Sequence, residues 1–144
     1  MNIKQALKKK NLLVNEIKQE FAKCMTYNSV EVGNIRPYSA KESLANYITK
    51  TNELISLKTA IHKANVPVYG KIFRLSELKS IVKYVNSINC ADGKERASYG
   101  QTEPRYLEVE IGVVERDNMI KAFEVEIDTI QDELDYFNAT TELV

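Results

Sequence analysis

Large apolar residues that return at steps of three and four constrain this chain more than any other feature. In the last stretch, where a helix is expected over 116–137, Ile120, Phe123, Ile127, Ile130, Leu134 and Phe137 keep a seven-residue repeat, and Glu124, Glu126, Gln131 and Glu133 flank it. A helix completes a turn in about 3.6 residues, so these positions become a single stripe with acidic edges. Such a stripe needs a second helix to cover it. A core-facing helix of an ordinary bundle and a coiled-coil helix both satisfy that demand.

Two earlier segments follow the same period. Ile3, Leu7, Val14, Ile17, Phe21 and Cys24 lie on one side of a helix expected over 2–26, with Lys10 interrupting the stripe. Asn28, Ser29, Gly33, Asn34 and Pro37 then break the period and predict a connecting loop. The string "SAKE" has the spacing of a capping box, in which the Ser39 hydroxyl accepts from an amide three residues on and Glu42 reaches back. The helix expected over 40–65 carries Leu44, Tyr47, Ile48, Leu54, Ile55, Leu57 and Ile61, a face wide enough to touch more than one neighbour. Pro67 disfavours helical geometry before it, so that helix should stop near Asn65.

"VPVYGKIF" reads as an extended or turning connector, followed by a helix over 75–89 with Leu75, Leu78, Val82 and Val85 inward. Asn89 to Gly100 reads as a polar loop. In "RYLEVEIGVV" Leu107, Val109 and Ile111 alternate with Glu108 and Glu110, which predicts a half-buried strand within 105–113. A strand cannot stand alone, so "VYGKIF", "VEVGNI" or the same segment of a second chain should pair with it. The expected fold is therefore mainly α: long amphipathic helices in an antiparallel bundle or coiled-coil arrangement with a small β element, in one domain over 1–144. Antiparallel packing of the first and last helices would match Lys4, Lys8, Lys9, Lys10 and Lys18 to the acidic edges of the last.

Charge narrows the partners. Lysine plus arginine and aspartate plus glutamate number 20 each, so no overall field would hold the molecule on a phosphate backbone, and nucleic-acid binding is not expected. No segment approaches the apolar length of a membrane span, and the start lacks the apolar run of a signal peptide; the expected address is cytoplasmic. Cys24 and Cys90 lack the spacing of a zinc site and are expected as reduced, packed thiols.

Residues that could carry chemistry are few. His62 is the sole histidine and sits near Lys58 and Lys63 at the end of a helix, a setting that suits a solvated or capping side chain better than a catalytic base. "GKERASYG" offers Gly93 and Lys94, but Ile88 stands where a phosphate loop needs glycine and Glu95 where it needs a hydroxyl. Lys94, Arg96 and Arg105 could still meet an anion, as could the basic cluster Lys8, Lys9 and Lys10. The carboxylates Glu124, Glu126, Asp128, Asp132, Glu133 and Asp135 lack the Glu-x-x-His pairing of carboxylate metal centres and should form a solvated face. No catalytic, cofactor-binding or metal residue is expected.

One string points to relatives. The ending "NATTEL", with Asn138, Thr140, Thr141, Glu142 and Leu143, resembles that of the septicolysin-like family, small bacterial helical proteins of largely uncharacterised function. Ala139 stands where that family tends to have an aromatic residue. The order of an opening helix, a long helix ending at "IHKAN", a turn at Gly70, the "LSEL" helix start and "RYLEVEI" before the last helix is similar too. The resemblance implies no enzymology. The expected function is a non-enzymatic helical protein that self-associates as a homo-oligomer through its long helices; the alternative is a binding module for an anionic ligand or nucleic acid.

Overall fold

The computed structural model describes residues 1–95, 100 and 103–144. It is mainly α-helical, with α1 at Ile3–Tyr27, α2 at Ala40–Asn65, α3 at Tyr69–Asn86 and α4 at Val113–Thr140. The strands β1, Gly93–Glu95, and β2, Arg105–Leu107, form a small antiparallel ribbon. The chain divides into two compact units, Met1–Tyr69 with Asp135–Val144, and Gly70–Leu134.

In the first unit α1 and α2 form an antiparallel pair. Lys9 meets Glu53 at 2.7 Å, Lys50 meets Glu16 at 2.8 Å, and the rings of Phe21 and Tyr47 lie 5.2 Å apart, so positions rising along α1 meet positions falling along α2. The seam buries Ala6 and Leu13 of α1 and Ala40, Ser43 and Ile61 of α2. Small residues at Ala6, Ala40 and Ser43 let the two backbones approach. The first helix thus runs along α2, and its start, at Lys4 and Leu7, also lies beside Asp135 and Asn138 at the end of α4.

Both helix starts are chemically specified. Asn2 caps α1 in a full capping box: its side chain accepts from the Gln5 amide at 2.9 Å, and its own amide donates to Gln5 Oε1 at 3.0 Å. At α2 Ser39 accepts from the Glu42 amide at 3.2 Å. Among the described residues the reverse bond to Glu42 is not formed, and the start of α2 rests on the serine half of the box. Arg36 closes the other end of the connection, donating to the carbonyls of Tyr27 and Asn28 that the last turn of α1 leaves without helical partners.

The "NATTEL" segment has a structural task in this unit. Asn2 Nδ2 donates to the Ala139 carbonyl at 3.1 Å, the Ile3 amide donates to the Thr141 carbonyl at 3.0 Å, and the Leu143 amide donates to the Met1 carbonyl at 2.9 Å. An orphan amide at the start of α1 and an orphan carbonyl at the end of α4 thereby acquire partners. The Met1 amino group adds an ion pair to Glu142 at 2.7 Å. This clasp accompanies complete burial of Ile3 and Ala6.

Around Pro67 the structure departs from the expected connector. Asn65 does end α2, but Val66–Val68 forms a single 3-10 turn, and α3 begins at Tyr69 where the expectation was 75. Proline lacks only an N–H that the first turn of a helix leaves unused, so here it opens helical structure.

In the second unit α3 and α4 are joined by Lys71–Glu133 at 2.8 Å and Arg74–Glu126 at 2.5 Å, a pairing again antiparallel in sense. Leu75 and Leu78 of α3 and Ile130 of α4 are buried. Expected at 116–137, α4 extends further at both ends, and α3 stops at Asn86, short of 89. The strand expected within 105–113 covers only Arg105–Leu107, and its partner is β1, from the segment read as a polar loop, with Gly93 opposite Leu107 and Glu95 opposite Arg105. "VYGKIF" cannot pair because it is helical, and "VEVGNI" lies in the α1–α2 loop. Val109 and Ile111 are half-buried and Glu108 and Glu110 exposed, as alternation demands. They line a groove with Ile88 and Asn89, where no ladder extends the ribbon among the described residues.

Candidate association surface

The α1–α2 pair is covered along its seam, and the clasp covers Ile3; beside the seam a broad apolar face is open. On α2 Leu44, Ile48 and Ile55 recur at steps that keep them on one stripe, roughly a quarter-turn or more from the seam at about 100° per residue. They are 41%, 51% and 57% exposed. On α1 Val14, Phe21 and Met25 form a comparable stripe beside the seam; Val14 is half-buried, and Phe21 and Met25 are exposed. Two antiparallel right-handed helices carry stripes displaced in the same rotational sense to the same side of the pair. The Phe21–Tyr47 ring contact joins them.

The loop between the helices adds apolar surface. Val32 is fully exposed and Ile35 nearly so, although the loop is well anchored. Arg36 ties it to the end of α1, the Tyr38 ring packs on that of Tyr27 with centroids 5.4 Å apart, and the Lys23 ammonium sits 4.7 Å from the Tyr38 ring. Gly33, with φ of 90°, makes a turn that other residues adopt at a cost.

Charge is distributed unevenly about this face. Lys10, Lys18, Lys41 and Lys58 border the two stripes, and among the described residues none of them forms a salt bridge. The helical acids Glu16, Glu20, Glu42 and Glu53 lie toward the seam and the far side. There the Glu16 hydrogen bond raises the pKa of Lys50, and the Lys9 hydrogen bond lowers that of Glu53. In the second unit the Glu126 hydrogen bond likewise raises that of Arg74.

Compared with protein-family models, with curated proteins and with solved structures, the chain finds no match.

The residues singled out in the sequence are scattered. Lys8, Lys9 and Lys10 point in three directions, since consecutive helical residues are about 100° apart: Lys9 enters the seam, Lys8 faces outward, and Lys10 borders the apolar face. They do not converge on an anion. Of the loop cations, Arg96 lies outside the described residues, Lys94 is placed in β1, and Arg105 is exposed in β2. His62 is exposed on α2, and its Nδ1 is hydrogen-bonded with the Tyr69 hydroxyl. Cys24 and Cys90 are free thiols, half-buried and buried respectively. Among the described residues no group of His, Cys, Asp and Glu is placed to hold a metal ion, and no helix is long and apolar enough to cross a membrane.

Periodicity groups Leu44, Ile48 and Ile55 with the core residues of α2 and passes over Val32 and Ile35. A signal was present for the first three: an apolar arc on α2 too wide for one neighbour. Only one helix, α1, runs along α2 in this unit.

Proposed function

We propose that the chain is a non-enzymatic helical protein that works by self-association, and that the open face of α1 and α2 is where copies meet. The observation that carries this reading is the uncovered stripe of Leu44, Ile48 and Ile55 beside Phe21 and Met25. Contiguous apolar surface of this kind is uncommon on a chain that acts alone, and burying it supplies the driving force for association. The resemblance of the ending to the septicolysin-like family belongs to the same proposal; Thr141, Glu142 and Leu143 of that ending take part in the clasp.

Size-exclusion chromatography with light scattering tests the reading. The protein is expected above monomer mass at micromolar concentration, and Ile48→Asp is expected to return it to monomer with its helical content retained. A wild-type monomer at high micromolar concentration would remove the proposal.

A further inference from the structure

The rim of the open face indicates what covers it. A contact of this face with the identical face of a second copy would bring Lys10, Lys18, Lys41 and Lys58 toward the same lysines of the partner, and like charges across an interface oppose association. A complementary surface must combine a narrow apolar ridge with carboxylates, at the spacing of a helix.

The chain itself carries carboxylates at that spacing, with two exposed valines among them. On α4 the stripe of Phe123, Ile127 and Ile130 turns toward α3, where Glu126 and Glu133 pair with Arg74 and Lys71. The outer side of the same helix is different. Val114 and Val125, about three turns apart, are 74% and 67% exposed, and Glu124, Asp128 and Asp132 stand beside them. Among the described residues these three carboxylates have no cationic partner, and Lys121 is the base in their company. One chain thus presents a lysine-edged apolar face on two helices, termed here the trough, and an acidic face of α4 with two isolated valines, termed here the ridge.

We propose that, in the assembly, the outer ridge of α4 from one copy docks into the α1–α2 face of a second copy. This rests on the self-association reading and specifies its geometry. Ridge and trough are different surfaces, so two copies that exchange ridges close a two-fold dimer, and copies that do not exchange them build an open chain. The rim lysines, Lys18 and Lys58 among them, would face the carboxylates Glu124, Asp128 and Asp132, and Val125 would lie against the apolar stripe of α2. An anionic membrane surface also suits an apolar face edged with lysines, but it leaves the α4 ridge unused.

Charge reversal tests the contact, since all four positions are exposed and outside the described ion pairs. Lys18→Glu with Lys58→Glu makes the trough acidic; Asp128→Lys with Asp132→Lys makes the ridge basic. Each double variant alone, with its helical circular-dichroism spectrum unchanged, is expected to weaken self-association by about tenfold or more, the scale of charge pairs across interfaces. An equimolar mixture is expected to restore assembly in light scattering, because the acidic trough of one variant then finds the basic ridge of the other. If the ridge variant assembles like wild type, copies meet elsewhere and this geometry is wrong, while self-association stands. If wild type is monomeric, both ideas fall. Binding of a monomer to phosphatidylserine vesicles at low salt would assign the trough to lipid and also overturn the proposal.

Discussion

At the scale of single residues the contrast between Ile130 and Ile48 is the most informative. Both are isoleucines on long helices, yet Ile130 is 7% exposed and Ile48 half exposed. Ile130→Asp places an unpaired carboxylate among apolar side chains and is expected to lower thermal stability by several kcal/mol. Ile48→Asp is expected to leave the chain folded and to act on assembly, so melting curves and light scattering should separate the two. Leu78, 2% exposed, gives a scale for packing in the second unit: Leu78→Ala should cost roughly 2–5 kcal/mol in denaturant unfolding, from lost transfer energy and the cavity left behind.

Ionisable residues set a pH profile at the same scale. Glu53 is held below its ordinary range by Lys9, so its contribution is present at neutral pH and lost as pH falls through that depressed value. Lys50 is held above its ordinary range by Glu16, so its contribution is fully present below the usual lysine pKa and lost as pH rises through the elevated one. Melting temperature is therefore expected to form a plateau through neutral pH, with these two pairs released only at the acid and alkaline ends. Both groups are solvated, and exposed pairs contribute little. A pronounced step near neutral pH would mean that other groups control stability.

At the scale of elements the clasp and the loop are the parts that sequence periodicity does not describe. Asn2 both caps α1 and donates to Ala139 on α4. Asn2→Ala is expected to cost about 1 kcal/mol for the cap alone, more if the bond to Ala139 adds to it. Amide hydrogen exchange should then show faster opening at Ile3 and Leu143, the amides on either side of the bridge, with the middle of α2 unaffected. Protection of Ile3 and Leu143 as in wild type would show that the capping side chain does not hold the clasp.

At the scale of the whole molecule the proposed self-association implies that stability and concentration are linked. Whatever binds the folded chain stabilises it by mass action, and a second copy is no exception. Thermal unfolding followed at several protein concentrations should shift upward as concentration rises, and Ile48→Asp should abolish the shift. A melting temperature independent of concentration would place the function of this face outside self-association.

The periodic features of the chain are legible in its sequence. Ile120, Phe123, Ile127, Ile130 and Leu134 on α4, and Leu75 and Leu78 on α3, keep the side assigned to them because a helical stripe depends only on local spacing. The limits of α2 are legible for the same reason, since Ser39 and Asn65 act within a turn of themselves. What local spacing cannot encode is which stripe meets which. That α1 lies along α2, that Lys9 pairs with Glu53, that β2 pairs with Gly93–Glu95, and that Pro67 opens a turn instead of stopping one were decided by contacts between residues far apart in the chain or by neighbours around a turn. The open face is the clearest case. Leu44, Ile48 and Ile55 have the spacing of core residues, and only the packing of α1 along the other side of α2 leaves them exposed.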